Sequence, residues 1–251
     1  MNGRYSRQLL LLGEEGQEKL AHSKVGVAGC GGLGTSAVTA LASAGVGELV
    51  LADSDTPEIS NLNRQFVYRE DSDRPKAELL REWALSVNPH IRVSAYVGEI
   101  DSSSAGMVFE GCDVVLDCLD SISSRRELNR WCVSNRKILV HAGISGMQGQ
   151  LTVVVPGRTP CLECLYGRVK EADGPIPSMG AAVMHFGSAE ALQAIMVLTG
   201  VGDPLIGRML TSDLSVPSYE VLDVCSDPGC PVCGNLRNTE HRSLSNISEA
   251  N

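Results

Sequence analysis

Short apolar runs alternate with apolar stripes of helical period from Lys24 to Gly149. Lys24–Ala28 (KVGVA) predicts a buried strand, followed by the loop GCGGLG and an apolar helix from about Leu33 to Ala44. Glu48–Ala52 (ELVLA) predicts a second strand, which ends on Asp53. A polar stretch of little periodicity, DTPEISNLNRQFVYREDSDRP, leads to a helix over Lys76–Val87. Asn88-Pro89 stops that helix, because proline has no N–H to donate and pushes the residue before it out of the helical region. Strands at Arg92–Tyr96, Asp113–Asp117 and Ile138–Ala142 alternate with helices at Ser103–Phe109 and Ser124–Asn135. Strands separated by helices of this length form right-handed βαβ units. The expected class is α/β, a doubly wound, Rossmann-like and mostly parallel sheet.

The texture changes after Gly149. Gln150–Val155 is β-branched and predicts a strand, and residues 157–180, rich in Pro, Gly and Cys, predict a long loop. Met184–Leu198 is apolar on most faces and predicts a buried helix, with His185 a core residue on it. Short strands are expected near Arg208–Thr211 and Tyr219–Asp223, giving a β-rich C-terminal extension. The tail over 235–251 is polar and expected to fray. The start, with its LLLL run and the charges that follow at once, is assigned no element. Val25–Gly47 lacks charge and is long enough for a bilayer, but its glycines make a poor continuous helix. Strand, turn and helix fit it better, so no membrane is expected.

Composition narrows the function. At 251 residues, 43% hydrophobic and 20% charged, the chain is globular and suits one large domain. A net charge of −9 argues against a nucleic-acid partner, which needs a cationic surface to release phosphate counterions. Nine cysteines, an odd number with no secretory leader pattern ahead of them, point to a reducing, cytoplasmic setting. There, cysteines serve as core residues, metal ligands or nucleophiles.

The glycine loop carries the first chemistry. Gly29, Gly31 and Gly34, with Gly32 between them, fit G-x-G-x-x-G between a strand and a helix. Such a loop turns tightly and lets backbone N–H groups approach a phosphate. Asp53, at the end of the next strand, can accept from ribose hydroxyls. A tight βα turn without ligand is the alternative, and the motif alone does not choose among NAD, FAD and ATP. The flanking segments do more. Asn61, Arg64, Gln65, Lys76 and Asp120 fall beside one pocket near the carboxyl ends of neighbouring strands. Hydride transfer builds no phosphate charge and has little use for Arg, Lys and a second Asp there. Phosphoryl or nucleotidyl transfer uses cations on the developing charge and a carboxylate on Mg²⁺.

RYSRQ, GCGGLG, LADSDTPEISNLNRQ, RPKAE, NPHI, LDCLDS, GMQGQLTVV and two CxxC pairs together resemble the E1-like adenylating enzymes, the group of MoeB, ThiF and HesA. The resemblance implies an ATP-dependent adenylyltransferase that joins a carboxylate to AMP using Mg-ATP and releases pyrophosphate. It implies that Gly29, Gly31, Gly32, Gly34, Asp53 and Asp55 bind nucleotide, with Asp53 on the ribose. It places Arg64 and Lys76 on the phosphates and Asp120 on Mg²⁺, with Asn61 and Gln65 ordering the loop. Arg7 would reach the γ-phosphate of the neighbouring subunit, so a homodimer is expected. The organisation would be an ATP-binding part over 1–149 and a C-terminal part over 150–234 in the same domain, followed by the tail.

Cys161, Cys164, Cys230 and Cys233 form two CxxC pairs that can complete a tetrahedral Zn²⁺ site. With no ligand position open, that zinc would be structural. Cys30, Cys112, Cys118 and Cys132 sit in apolar segments and are expected in the core; Cys225 is ambiguous. Many members of the resembled family carry a cysteine in the long loop that forms a thioester or persulfide, but residues 167–183 contain none. Ser121 also stands where the family commonly has Asn. Two substrates fit. One is the C-terminal glycine of a ubiquitin-like sulfur carrier. The other is a small-molecule carboxylic acid of cofactor biosynthesis, as in the guanylylpyridinol pathway, passed to a thiol on another protein. An NAD-dependent oxidoreductase and a non-catalytic nucleotide-binding scaffold are the alternatives.

Overall fold

A computed structural model describes residues 3–171, 174–216 and 218–236. Eight strands form one sheet in the order β3-β2-β1-β4-β5-β6-β7-β8. The parallel half comprises β1 (Lys24–Ala28), β2 (Glu48–Asp53), β3 (Arg92–Val97), β4 (Val114–Asp117) and β5 (Ile138–Ser145). Antiparallel strands β6 (Gln148–Val154), β7 (Arg208–Asp213) and β8 (Ser218–Asp223) extend it. The change of texture after Gly149 is therefore a change of strand direction within one sheet. Between β1 and β4 the chain reverses its winding, and a crevice opens there at the carboxyl ends of the strands.

Helices α2 (Gly32–Ala44), α3 (Lys76–Val87) and α7 (Gly180–Thr199) cover one face, with α4 (Ser104–Phe109), α5 (Ile122–Ser134) and α6 (Leu162–Tyr166) on the other. The parallel strands are buried on both sides, which is why Val25–Ala28 and Val114–Asp117 read as continuous apolar runs. Helix α3 ends where proline dictates: Asn88 caps it in an extended conformation, and its buried side chain donates to Ala42 O at 2.8 Å. Helix α5 begins at Ser121, whose hydroxyl accepts from Ser124 N at 3.1 Å. Serine and asparagine are both strong N-caps, so Ser121 does the local work of the Asn it replaces.

Three expectations change. Helix α1 (Ser6–His22) has no counterpart in the hydrophobic pattern; it is broken at Gly13 (φ 67°), and Leu10 and Leu11 remain exposed. The loop over 157–180 contains α6, begun by Cys161. His185 is an exposed residue of α7 and not a core one, its ring edge-on to Phe186 at 5.3 Å and near Tyr219 at 5.9 Å. An apolar helix cannot tell from its own sequence which faces its neighbours cover. Helix α7 passes the length and hydropathy test for a membrane span, yet Phe186, Ala191 and Ala194 lie in the core. The expected frayed tail falls, from residue 237 on, outside the described residues.

Candidate functional site

The glycine loop turns at Gly29, whose φ of 95° lies in the left-handed region. A Cβ there would meet Cys118 O at 2.5 Å, and one on Gly34 would meet Gly29 O at 2.0 Å. Glycines are needed here because the loop folds against the end of β4 and α2 starts directly above it. Gly31 caps α2, so the free N–H groups of its first turn point into the crevice.

Asp53 closes the loop from the side. Its carboxylate accepts from Cys30 N at 2.6 Å and Asp55 N at 2.8 Å. Burial lifts the Asp53 carboxyl above its ordinary range, against those two bonds and the charge of Lys76. Lys76, buried at the start of α3, reaches Asp55 Oδ2 at 3.1 Å. Gln65 is buried beside Gly31, and its Oε1 has no hydrogen-bond partner. Asn61 belongs to a short 3-10 turn that Glu58 caps reciprocally, and its carbonyl accepts from Gln65 N at 3.0 Å. Arg64, half-buried, donates to Ser60 O and Asn63 Oδ1, both at 2.9 Å. Thus the glycines, Asp53, Asp55, Asn61, Arg64, Gln65 and Lys76 gather around the carboxyl ends of β1 and β2.

Asp120 lies across the crevice, exposed beyond β4, on the rim of a cavity of about 630 Å³. Its floor is polar: Gly143, Gln150, Thr211 and Glu220 align across β5 to β8 in one row, and Ser145, Gln148, Asp213 and Ser218 in another. Tyr166, Val169 and Ile176 of the long loop also line it. At its inner end Asp117, fully buried, meets His141 Nδ1 at 2.8 Å. Burial opposes ionisation of Asp117, but the Arg125 charge and the His141 bond outweigh it and hold the carboxyl below its usual range. Burial likewise depresses His141 despite Asp117, and its Nε2 is unpartnered. Sequence reasoning missed this inner group. The only signal for it is Asp117 in the same LDCLDS segment as Asp120.

Arg7 stands apart. Tyr5, two residues before it, packs on Gly45, and neighbouring Arg4 donates to Val87 O at 2.8 Å. These contacts lie where β2 and β3 begin, whereas the glycine loop lies where the strands end.

The four CxxC sulfurs lie within 4.8 Å of one another. Cys161 and Cys230 are 3.8 Å apart and Cys164 and Cys233 3.4 Å. Bonds of about 2.3 Å to a tetrahedral Zn²⁺ put sulfurs roughly 3.8 Å apart, so the cluster can hold that ion. Cys30, Cys112, Cys118 and Cys132 are buried, as expected, and burial raises every one of their thiols, Cys112 to about 12. Cys225 is exposed.

The sequence profile of the ThiF family matches residues 5–232. The chain belongs to the ThiF family. The sulfur carrier protein ThiS adenylyltransferase of Escherichia coli is 38% identical over 238 residues, covering 92% of this chain and 94% of that protein. Protein HesA, heterocyst, of Trichormus variabilis is 35% identical over 236 residues, 92% of this chain and 88% of that one. Among solved structures, E. coli MccB with ATP superposes with a TM-score of 0.82 at 26% identity, over 93% of this chain and 75% of MccB. The doubly wound sheet is thus the ThiF-family fold.

Proposed function

We propose that the chain is an ATP-dependent carboxylate adenylyltransferase. The observation that supports this is that Asp53 and Lys76 are held beside the glycine loop at the carboxyl ends of β1 and β2, with Asp120 on the rim of a cavity beyond β4. A nucleotide seated on the loop offers its phosphates to the first turn of α2 and to Lys76. A carboxylate in the neighbouring cavity attacks the α-phosphate in line; the bond to pyrophosphate breaks and acyl-AMP forms. Asp53 holds the ribose, and Arg64 and Lys76 offset charge that develops on the phosphates. Asp120 would hold Mg²⁺, which when bound would supply positive charge against the phosphates. Asp120 suits that role because it makes no hydrogen bond or ion pair among the described residues.

The substrate is a carboxylate presented by a ubiquitin-like carrier or peptide, or by a small acid. The named activity of the ThiS adenylyltransferase supports the first, and the lack of a loop cysteine fits transfer of the acyl group to a thiol on another molecule. Arg7, at the far end of the subunit, serves the neighbouring site of a homodimer. Leu10 and Leu11 of α1 and Leu192 of α7 are exposed on helices that pack together and offer an apolar face for it. The four-cysteine cluster would hold structural Zn²⁺ as thiolates, and a reducing cytoplasm would keep the four sulfurs from forming disulfides.

The test is carboxylate-dependent exchange of labelled pyrophosphate into ATP, run with a carrier protein and a panel of small acids. Exchange with one of them is expected, and Asp120→Ala abolishes it with the fold intact. Absence of exchange with all of them, alongside NAD(H) binding and no affinity for ATP, refutes the proposal.

A further inference from the structure

Arg125, on the first turn of α5, belongs to none of the motifs above, yet its guanidinium ties the turn after β4 to β5 beside the cavity. Nη2 donates to Leu119 O, the residue before Asp120, through a short contact. Nη1 donates to Ala142 O on β5 at 2.9 Å, next to Gly143 in the cavity floor. Asp117 Oδ2, at 3.6 Å from Nη1, is its counter-ion, and His141 Nδ1 lies 2.9 Å from the same nitrogen. The Arg125 side chain is only 12% exposed and Asp117 is fully buried, so neither charge is stable without the other. The turn carrying Asp120 is pinned at its two ends, by Cys118 N on Ala28 O at 2.9 Å and by Ser121 as the cap of α5, while between them Leu119 N reaches Asp117 Oδ1 at 3.3 Å and Leu119 O takes the Arg125 bond.

From these contacts we infer that Arg125 is a positioning residue, which fixes the Asp120 turn and the cavity floor in register by bridging the Leu119 and Ala142 carbonyls. The inference rests on the assignment of Asp120 to Mg²⁺. It specifies a planar, bidentate donor. Lysine keeps the charge but, as a point donor, cannot span the carbonyl of the Leu119 turn and that of Ala142 on β5.

The experiment titrates Mg²⁺ against binding of the methylene analogue of ATP to the full chain, for wild type, Arg125→Lys and Asp120→Asn. Circular dichroism and melting confirm that each variant is folded. Arg125→Lys is expected to raise the Mg²⁺ half-saturation about tenfold, the usual cost of losing a partner behind a metal ligand. Its affinity for the analogue without Mg²⁺ is expected to stay unchanged, which a general loss of structure would not allow. If Asp120→Asn shifts the half-saturation and folded Arg125→Lys does not, the inference is overturned while the Mg²⁺ assignment stands. If Asp120→Asn shifts nothing, the Mg²⁺ assignment itself fails. Should Arg125→Lys not fold, Asp117→Asn, which frees Arg125 from its counter-ion at constant volume, is expected to shift the half-saturation in the same direction. No shift there also overturns the inference.

Discussion

On the parallel side of the crevice Asp53 already holds two backbone N–H groups, and Lys76 already holds Asp55. On the other side, between β4 and the antiparallel strands, buried His141 Nε2 is unpartnered, Asp120 has no protein partner among the described residues, and the strands present rows of amides and hydroxyls. The first arrangement is preorganised for one ligand, because its polar groups are fixed before anything binds. The second is a shaped but uncommitted surface, where small changes of side chain re-specify what fits. In the proposed reaction the nucleotide would take the first and the carboxylate the second. Both stand on one sheet, and the Arg125 side chain bridges the floor of the second to the turn after β4.

The largest break in this comparison should come from the metal. Chelation, or Cys233→Ser, should remove a few kcal/mol from the face of the sheet covered by α4, α5 and α6, against which the cysteines pack, and lower the melting temperature by about 10 °C. ATP binding per folded molecule should persist, as calorimetry at low temperature would show; loss of both together would mean that the glycine-loop side depends on the ion. Next, Lys76→Ala strikes the preorganised side. Pyrophosphate exchange should fall by about 10²–10³, the usual cost of one lost charge-stabilising contact, with no large change in KM for the carboxylate.

Glu190 of α7 probes the ground between the halves. It is fully buried, Cys118 Sγ lies 3.3 Å from Oε2, and Oε1 has no partner. Burial, with the nearby charge of Asp117, raises its carboxyl well above 4.5. The folded state therefore keeps a proton that the unfolded chain releases, so stability falls as pH rises from the unfolded value toward the folded one. Glu190→Gln should remove that slope: urea unfolding between about pH 5 and 8 should show the variant gaining on wild type as pH increases. A constant difference would mean that Glu190 is ionised in place. The smallest effect is Ser121→Ala, which should cost about 1 kcal/mol through the lost cap of α5, read as a shift of urea midpoint.

The parallel half was legible because its signals are local. Strand β1 and helix α3 have the expected bounds, since glycine, proline and continuous apolar runs act within a few residues. The CxxC pairs were legible for the same reason, as each pair is its own turn. The cavity was not. Asp117, Arg125, His141, Gln150 and Thr211 come from five elements, and only the register of β4 to β7 brings them together. Helix α1 escaped because Gly13 interrupts its period, and His185 was misplaced because the exposed side of α7 is as apolar as its buried side.

The cysteine cluster has one more consequence. Its two pairs flank α7, β7 and β8, so with the ion bound the stretch from Cys164 to Cys230 is a closed ring, although no covalent cross-link joins its ends. A protease that nicks the exposed residues around Ser215 would leave two fragments that still travel as one particle. They would part only when a chelator opens the clasp.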